Sequence, residues 1–137
     1  RETLWNSKAL SSDVTAAMNP VYKSVHDIEN VARLSYGLAF AKYTGSRGKS
    51  MANDADAEFI QEIRQIFDKN EIKYQSGGFG KVDEGGGGTV AKFLAYYGIR
   101  TIDAGPALLS MHSLFEISSK ADLYETYRAY KVFFELN

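Results

Sequence analysis

The sequence predicts an α/β fold, and three observations carry that expectation. Residues 53–69 place Phe59, Ile63, Ile66 and Phe67 on one side of a helical wheel, which marks an amphipathic helix. A second helical run, Val90–Tyr97, leads through Gly98 into the β-favouring segment Ile99–Ala104. Short strand-like segments and helices alternate along most of the chain, the pattern of a sheet with helices on its faces. With 137 residues and 45% hydrophobic content, the chain is long enough for one core and reads as one domain.

Composition excludes several functions. Sixteen basic and seventeen acidic side chains leave a formal charge of −1, so no global field directs the chain to nucleic acid or an anionic membrane. There is no cysteine. Disulfides, thiolate zinc sites and cysteine nucleophiles are thereby excluded, and any metal must be held by His, Asp or Glu. No apolar run approaches the roughly 20 residues of a membrane helix, and a cytoplasmic protein is expected. The opening Arg1-Glu2-Thr3-Leu4-Trp5 reads like the interior of a longer chain, so a partial domain is expected.

Taken in order, residues 9–17 approach as an apolar strand, pass through Ser11-Ser12-Asp13 and end at the Asn19-Pro20 break, which places Asp13 at a strand end. Val21–Ser35 is read as loop with a short helix near Ile28–Leu34, and His26-Asp27 as surface. Tyr36–Tyr43 is a strand closed by the turn-rich, basic segment 44–50. Asn53 or Asp54 is expected to cap the helix that follows, with Asn70 in the left-handed position that ends it. Glu71–Ser76 is a short strand interrupted at Gly77-Gly78.

Gly85-Gly86-Gly87-Gly88-Thr89 opens the next helix, whose Val90, Phe93, Leu94 and Tyr97 are expected to face inward. Glycines ahead of a helix allow backbone amides to approach a ligand, but both the Walker lysine spacing and a G-x-G-x-x-G frame are missing. After Ile99–Ala104 a Gly105-Pro106 break leads to His112. Ser119 and Asp122 form a capping-box pattern for a last helix, with Leu123, Tyr127, Tyr130 and Phe134 as its core stripe.

A histidine just beyond a strand end lies where open α/β sheets place their chemistry, and Asp13 is its expected partner. As residues alone, His112 reads first as a hydrogen-bonded loop residue, ahead of a metal ligand or base, and Asp13 can simply cap a turn. Lys42, Arg47 and Lys49 are candidates for holding an anion, and Asp83-Glu84 for a metal, although solvated surface accounts for both. There is no Gly-x-Ser-x-Gly elbow and no H-E-x-x-H, which removes the commonest serine hydrolase and helical zinc peptidase sites.

The blocks SSDVTAAMNP (11–20), KYTGSRGKSMAND (42–54), GKVDEGGGGTVAKFLAYYGI (80–99), IDAGPALLSMHS (102–113) and EISSKADLYETYRAYKVFF (116–134) resemble the C-terminal part of the aminopeptidase I / aspartyl aminopeptidase family of zinc metallopeptidases. The resemblance runs over nearly the whole chain in the family's order. It implies part of a three-layer α/β/α catalytic domain, a mixed sheet with helices on both faces, and hydrolysis of the N-terminal residue of a peptide at a co-catalytic two-metal site. By position Asp13 matches a carboxylate ligand of one ion and His112 the imidazole ligand of the other. Lys42, Gly87 and Met111 match positions along the substrate cleft. The ions implied are two divalent metals, zinc foremost, with cobalt or manganese also compatible.

The resemblance further implies a homo-oligomer, a dodecamer, with a peptide as the partner and neither nucleic acid nor membrane. The family's remaining ligands, its general-base glutamate and its dimerisation domain have no counterpart in residues 1–137 and are expected upstream, so this chain alone is expected to be inactive. A second reading treats the chain as a noncatalytic α/β module that binds a ligand at its glycine loop or serves assembly. The two readings separate on whether Asp13 and His112 matter.

Overall fold

In the computed structural model, residues 1–47, 50–78, 80–81 and 84–136 are described, and the strand β7 (Arg100–Gly105) divides the fold into two faces. Side chains of successive strand residues point to opposite sides. Ile102 and Ala104 therefore enter one core, while Thr101 and Asp103 face the other way. β7 lies between β1 (Lys8–Ser11), parallel to it, and β3 (Leu38–Ala41), antiparallel to it, and β6 (Tyr74–Ser76) pairs in parallel with β3. The result is a mixed four-stranded sheet.

The larger core is built on the Ile102 face. Leu38, Phe40, Ile102 and Ala104 pack against Phe59, Ile63 and Phe67 of α2 (Ala57–Lys69) and Ala129 of α4 (Lys120–Phe134). A smaller cluster of Ala17, Ala32, Ala39 and Ala107 occupies the opposite side. There the short helix α3 (Ala91–Tyr96) packs beside β7, so helices lie on both faces of the sheet. A four-residue helix α1 (Glu2–Trp5) precedes β1, and its Trp5 ring fills the space where Gly98 has no side chain.

The α2 stripe forms as its periodicity predicts, but its ends differ. The expected caps Asn53 and Asp54 belong instead to β5 (Ser50–Asp54), which pairs with β4 (Tyr43–Ser46) in a hairpin, so strand pairing holds the chain extended there. Asp56 is the N-cap and accepts from the Phe59 N–H at 2.8 Å. The same carboxylate pairs with Arg100 on β7, whose guanidinium holds it below the usual carboxylate range and ties the helix start to the sheet. At the other end Glu71, with φ +53°, takes the left-handed position expected of Asn70, whose φ is −100°.

The apolar stripes expected on the other two helices are not the buried ones. In α4 Leu123, Tyr127 and Phe134 are exposed and of the expected stripe only Tyr130 packs against the core, whereas Asp122, Thr126 and Ala129 are buried. The cause is Asp122, whose carboxylate points inward and accepts from the Ser35 N–H at 2.8 Å and the Gly37 N–H at 2.7 Å. That anchor sets the rotation of the helix, and the small side chains beneath allow it close to β3. Asp122 thus does not complete a capping box, and the Ser119 hydroxyl pairs with that of Ser35. In α3 Ala91 is buried, Leu94 is half-buried, and Val90, Phe93 and Tyr97 are exposed.

Two loops also depart from expectation. No helix forms over Ile28–Leu34. The Asp27 carboxylate accepts from the Glu29 N–H and the Asn30 side chain, holding a turn, and the chain then extends so that Ala32 bridges Ala17. A single 3₁₀ turn occupies Lys23–Val25 instead. The Gly105-Pro106 break is likewise a crossing from one sheet to another. The chain resumes at once as β8 (Ala107–Leu109), which lies between β2 (Thr15–Ala16) and β9 (Ile117–Ser118).

Replacing Asp122 by Ala leaves the buried Gly37 N–H and the partly buried Ser35 N–H without an acceptor. It is expected to lower stability by about 2–5 kcal/mol in chemical denaturation, whereas Leu123→Ala on the exposed side is expected to change it by less than about 0.5 kcal/mol.

Candidate functional site

The site grows out of a pair of neighbouring chain segments that bend together. β1 lies beside β7 with Lys8 opposite Arg100, and β2 lies beside β8 with Thr15 opposite Ala107. Both pairings have the same offset of 92 residues, so one parallel ribbon passes from the first sheet into the second without a change of register. Asp13 is in the bend. A β-carbon on Gly105 would stand 2.1 Å from the Asp13 carbonyl oxygen, so only glycine allows the two bends to nest. The Thr15 N–H donates to the Pro106 carbonyl at 3.3 Å just beyond it.

The Asp13 side chain is oriented locally, for its Oδ1 accepts from the Val14 N–H at 2.9 Å. On the neighbouring segment β8 ends in a loop whose Ser110 and His112 both have positive φ, +59° and +69°. The loop brings Met111 and His112 over the bend. Asp13, Met111 and His112 line one open cleft of about 380 Å³, which Gly86, Gly87, Gly88 and Thr89 wall on one side and Glu116 on another. Four of the residues singled out from sequence, Asp13, Gly87, Met111 and His112, are therefore brought together.

The glycine wall is held from behind. A β-carbon on Gly88 would meet Met51 of β5 at 2.1 Å, and the Arg47 N–H donates to the Gly85 carbonyl at 2.7 Å. Thr89 ends the wall and donates its hydroxyl to Asp103 Oδ2 at 2.8 Å. Asp103 is 3% exposed. Burial pushes its carboxyl above the usual range; the hydroxyls of Ser11, Thr89 and Thr44 oppose that shift, and the nearby charge of Asp13 adds to it. One buried carboxylate thus bonds the glycine segment beneath the cleft, opposite Ser11 of β1.

Lys42 is elsewhere. Its Nζ pairs with the Asp54 carboxylate, and it lines a second cavity of about 260 Å³ with Asp27, Asn30 and Thr44. Gly86 borders both cavities. Arg47 is exposed, and Lys49 lies outside the described residues. Of the acidic pair, Asp83 lies outside the described residues and Glu84 is exposed beside Lys81. His26 is not at the surface. It is buried, its Nε2 accepts from the Asn19 N–H at 3.0 Å, and burial lowers its pKa.

Two residues at the site escaped the sequence reading. Asp103 carried a signal, an acidic residue inside the apolar strand Ile102-Asp103-Ala104. Glu116 carried none, since one more acidic residue ahead of a helix looks solvated.

Carboxylate and imidazole on one cleft are the donor types that suit zinc and related divalent ions. Among the described residues no three His, Asp or Glu side chains are grouped closely enough to hold an ion by themselves. The donors present therefore fit part of a ligand set. No helix among the described residues is long and apolar enough to cross a membrane.

Residues 1–134 match the sequence model of the family described as "Aminopeptidase I zinc metalloprotease (M18)". The chain is 61% identical over 135 residues to a probable M18 family aminopeptidase 1 of Borreliella afzelii, which covers 98% of this chain and 30% of the relative. Among solved structures it superposes on an M18 aminopeptidase from Thermotoga maritima with a TM-score of 0.91 and 56% identity, over 96% of this chain and 29% of that one. Aminopeptidase I from Clostridium acetobutylicum gives 0.89 and 54%, over 94% and 28%. The chain spans about 30% of the length of the curated relatives it matches.

The Thr89 bond to Asp103 is open to direct test. Thr89→Val removes a donor from a buried carboxylate and is expected to cost about 1–3 kcal/mol in denaturant melts, while Thr89→Ser, which keeps the hydroxyl, is expected to recover most of it.

Proposed function

This chain belongs to the aminopeptidase I zinc metalloprotease (M18) family, and from that premise we propose that it forms part of the active site of a metal-dependent aminopeptidase. Asp13 gives a carboxylate ligand to one of two divalent ions and His112 an imidazole ligand to the other. The observation that carries this reading is that residues so distant in sequence line the same cleft, with Gly87 and Met111 beside them. Zinc is the ion this donor chemistry and the family description favour.

When bound, two such ions polarise a scissile carbonyl and lower the pKa of a water that attacks it. The chain's own residues shape what enters. Asp13 is held by the Val14 N–H at one carboxylate oxygen, which leaves the other for a ligand bond. The glycine wall has no side chains to block close approach of a peptide backbone. Met111 covers an apolar part of the cleft. Lys42 is the candidate for contact with substrate beyond Gly86, where its charge is now matched by Asp54.

The remaining metal ligands and the general-base glutamate belong, in this proposal, to the rest of a longer protein. Residues 1–137 then make up the C-terminal portion of its catalytic domain, and the dimerisation domain lies outside them. The relatives' greater length supports that view, as does the absence of a complete three-donor group among the described residues. Exposed Phe93, Tyr96, Tyr97, Tyr127 and Phe134 supply apolar surface suited to burial against further protein, in keeping with a homo-oligomer and the dodecamer implied by the family resemblance. We place the enzyme in the cytoplasm.

In the complete protein, Asp13→Ala and His112→Ala are each expected to bring peptide hydrolysis to background and to lower bound metal from about two ions per chain toward one, read by elemental analysis. A ligand-binding or assembly module would be indifferent to both changes. Release of amino acids from peptides by the 137-residue chain alone would contradict the proposal.

A further inference from the structure

Outside the residues already given roles, the cleft contains Glu116, and its geometry links it to His112. β8 and β9 form a hairpin in which Leu109 faces Ile117, so residues 110–116 are its loop. Ser110 leaves β8 and Glu116 enters β9. Within the loop the Ser113 N–H donates to the Ser110 carbonyl at 2.9 Å, and the Ser113 hydroxyl donates to the Phe115 carbonyl at 2.8 Å. The Glu116 carboxylate reaches back across the loop and accepts from the His112 N–H at 2.6 Å.

That bond falls on the residue most in need of it. His112 has a φ of +69°, in the left-handed region that side-chain-bearing residues populate uncommonly and at a steric cost. The loop is exposed, so apolar packing does not supply the restraint. A short hydrogen bond to an ionised acceptor is among the stronger available in water. It fixes the peptide plane ahead of the His112 α-carbon and with it the direction in which the imidazole leaves the backbone.

We propose that Glu116 is a positioning residue for His112: its carboxylate clamps the strained backbone of the β8–β9 loop so that the imidazole is presented to the cleft in the orientation a metal bond requires. The proposal rests on the reading of His112 as a ligand. Supporting groups of this kind typically change metal affinity by about 10–100-fold when removed.

The test uses the complete enzyme with Glu116→Ala, Glu116→Gln and His112→Ala. Zinc affinity is read by chelator competition on metal-stripped protein, and kcat and KM on an aminoacyl p-nitroanilide. Glu116→Ala is expected to weaken zinc binding by about 10–100-fold and to lower kcat, with KM changed by less than about threefold. Glu116→Gln keeps an oxygen acceptor and is expected to recover both to within about fivefold. Zinc affinity unchanged in Glu116→Ala would overturn the proposal. Equal damage in Glu116→Gln would also do so, pointing to a direct role of the charge. Loss of a whole ion in Glu116→Ala, as in His112→Ala, would make Glu116 a ligand and not a clamp. Full metal content in His112→Ala would instead remove the reading beneath the proposal.

Discussion

The bend shared by two parallel chain segments is the constraint from which the candidate site follows. β1 and β7 leave the main sheet side by side, and β2 and β8 enter the second sheet in the same register. Two strands can bend together only if their backbones pass closely, and here the Asp13 carbonyl rests where any side chain at position 105 would stand. Once that contact is made, the residues after β1 and after β8 emerge toward the same space. The cleft between Asp13 and His112 is therefore a consequence of backbone geometry before any side-chain chemistry enters.

Side chains then secure what the backbone places. Asp103 sits opposite Ser11 in the ribbon and bonds Thr89, so the strand leading to Asp13 and the glycine wall facing it share one buried anchor. Burying a carboxylate is costly unless donors meet it, and the Thr89 hydroxyl donates to one of its oxygens. Asp122 does comparable work at the far side of the main sheet, where it fixes α4 against the chain entering β3. Each of these acids connects elements that are remote in sequence.

What was legible in the sequence depended on whether local pattern and tertiary role agreed. α2 was legible because Phe59, Ile63 and Phe67 repeat at helical spacing and are the residues buried. α4 was legible as a helix but only partly in its orientation, because its buried side carries Asp122, Thr126 and Ala129, with Tyr130 packed beside them, while Leu123, Tyr127 and Phe134 face out. β8 was hidden behind Pro106, since nothing local marks three residues as a strand of a second sheet. His26 read as surface because its burial comes from a loop packed by distant contacts. Asp13 and His112 stood out through the family resemblance, and the pairing register shows why they share a cleft. Glu116 was beyond sequence reasoning, for its importance depends on a backbone torsion at His112.

Whether this chain carries ligands of two different ions is decided by anomalous diffraction at the zinc edge from crystals of the complete protein. Two anomalous peaks are expected in the cleft, one about 2.0–2.2 Å from the Asp13 carboxylate and the other about 2.0–2.1 Å from an imidazole nitrogen of His112. Peaks elsewhere in the protein, with Asp13 and His112 touching neither ion, would contradict their assignment as ligands.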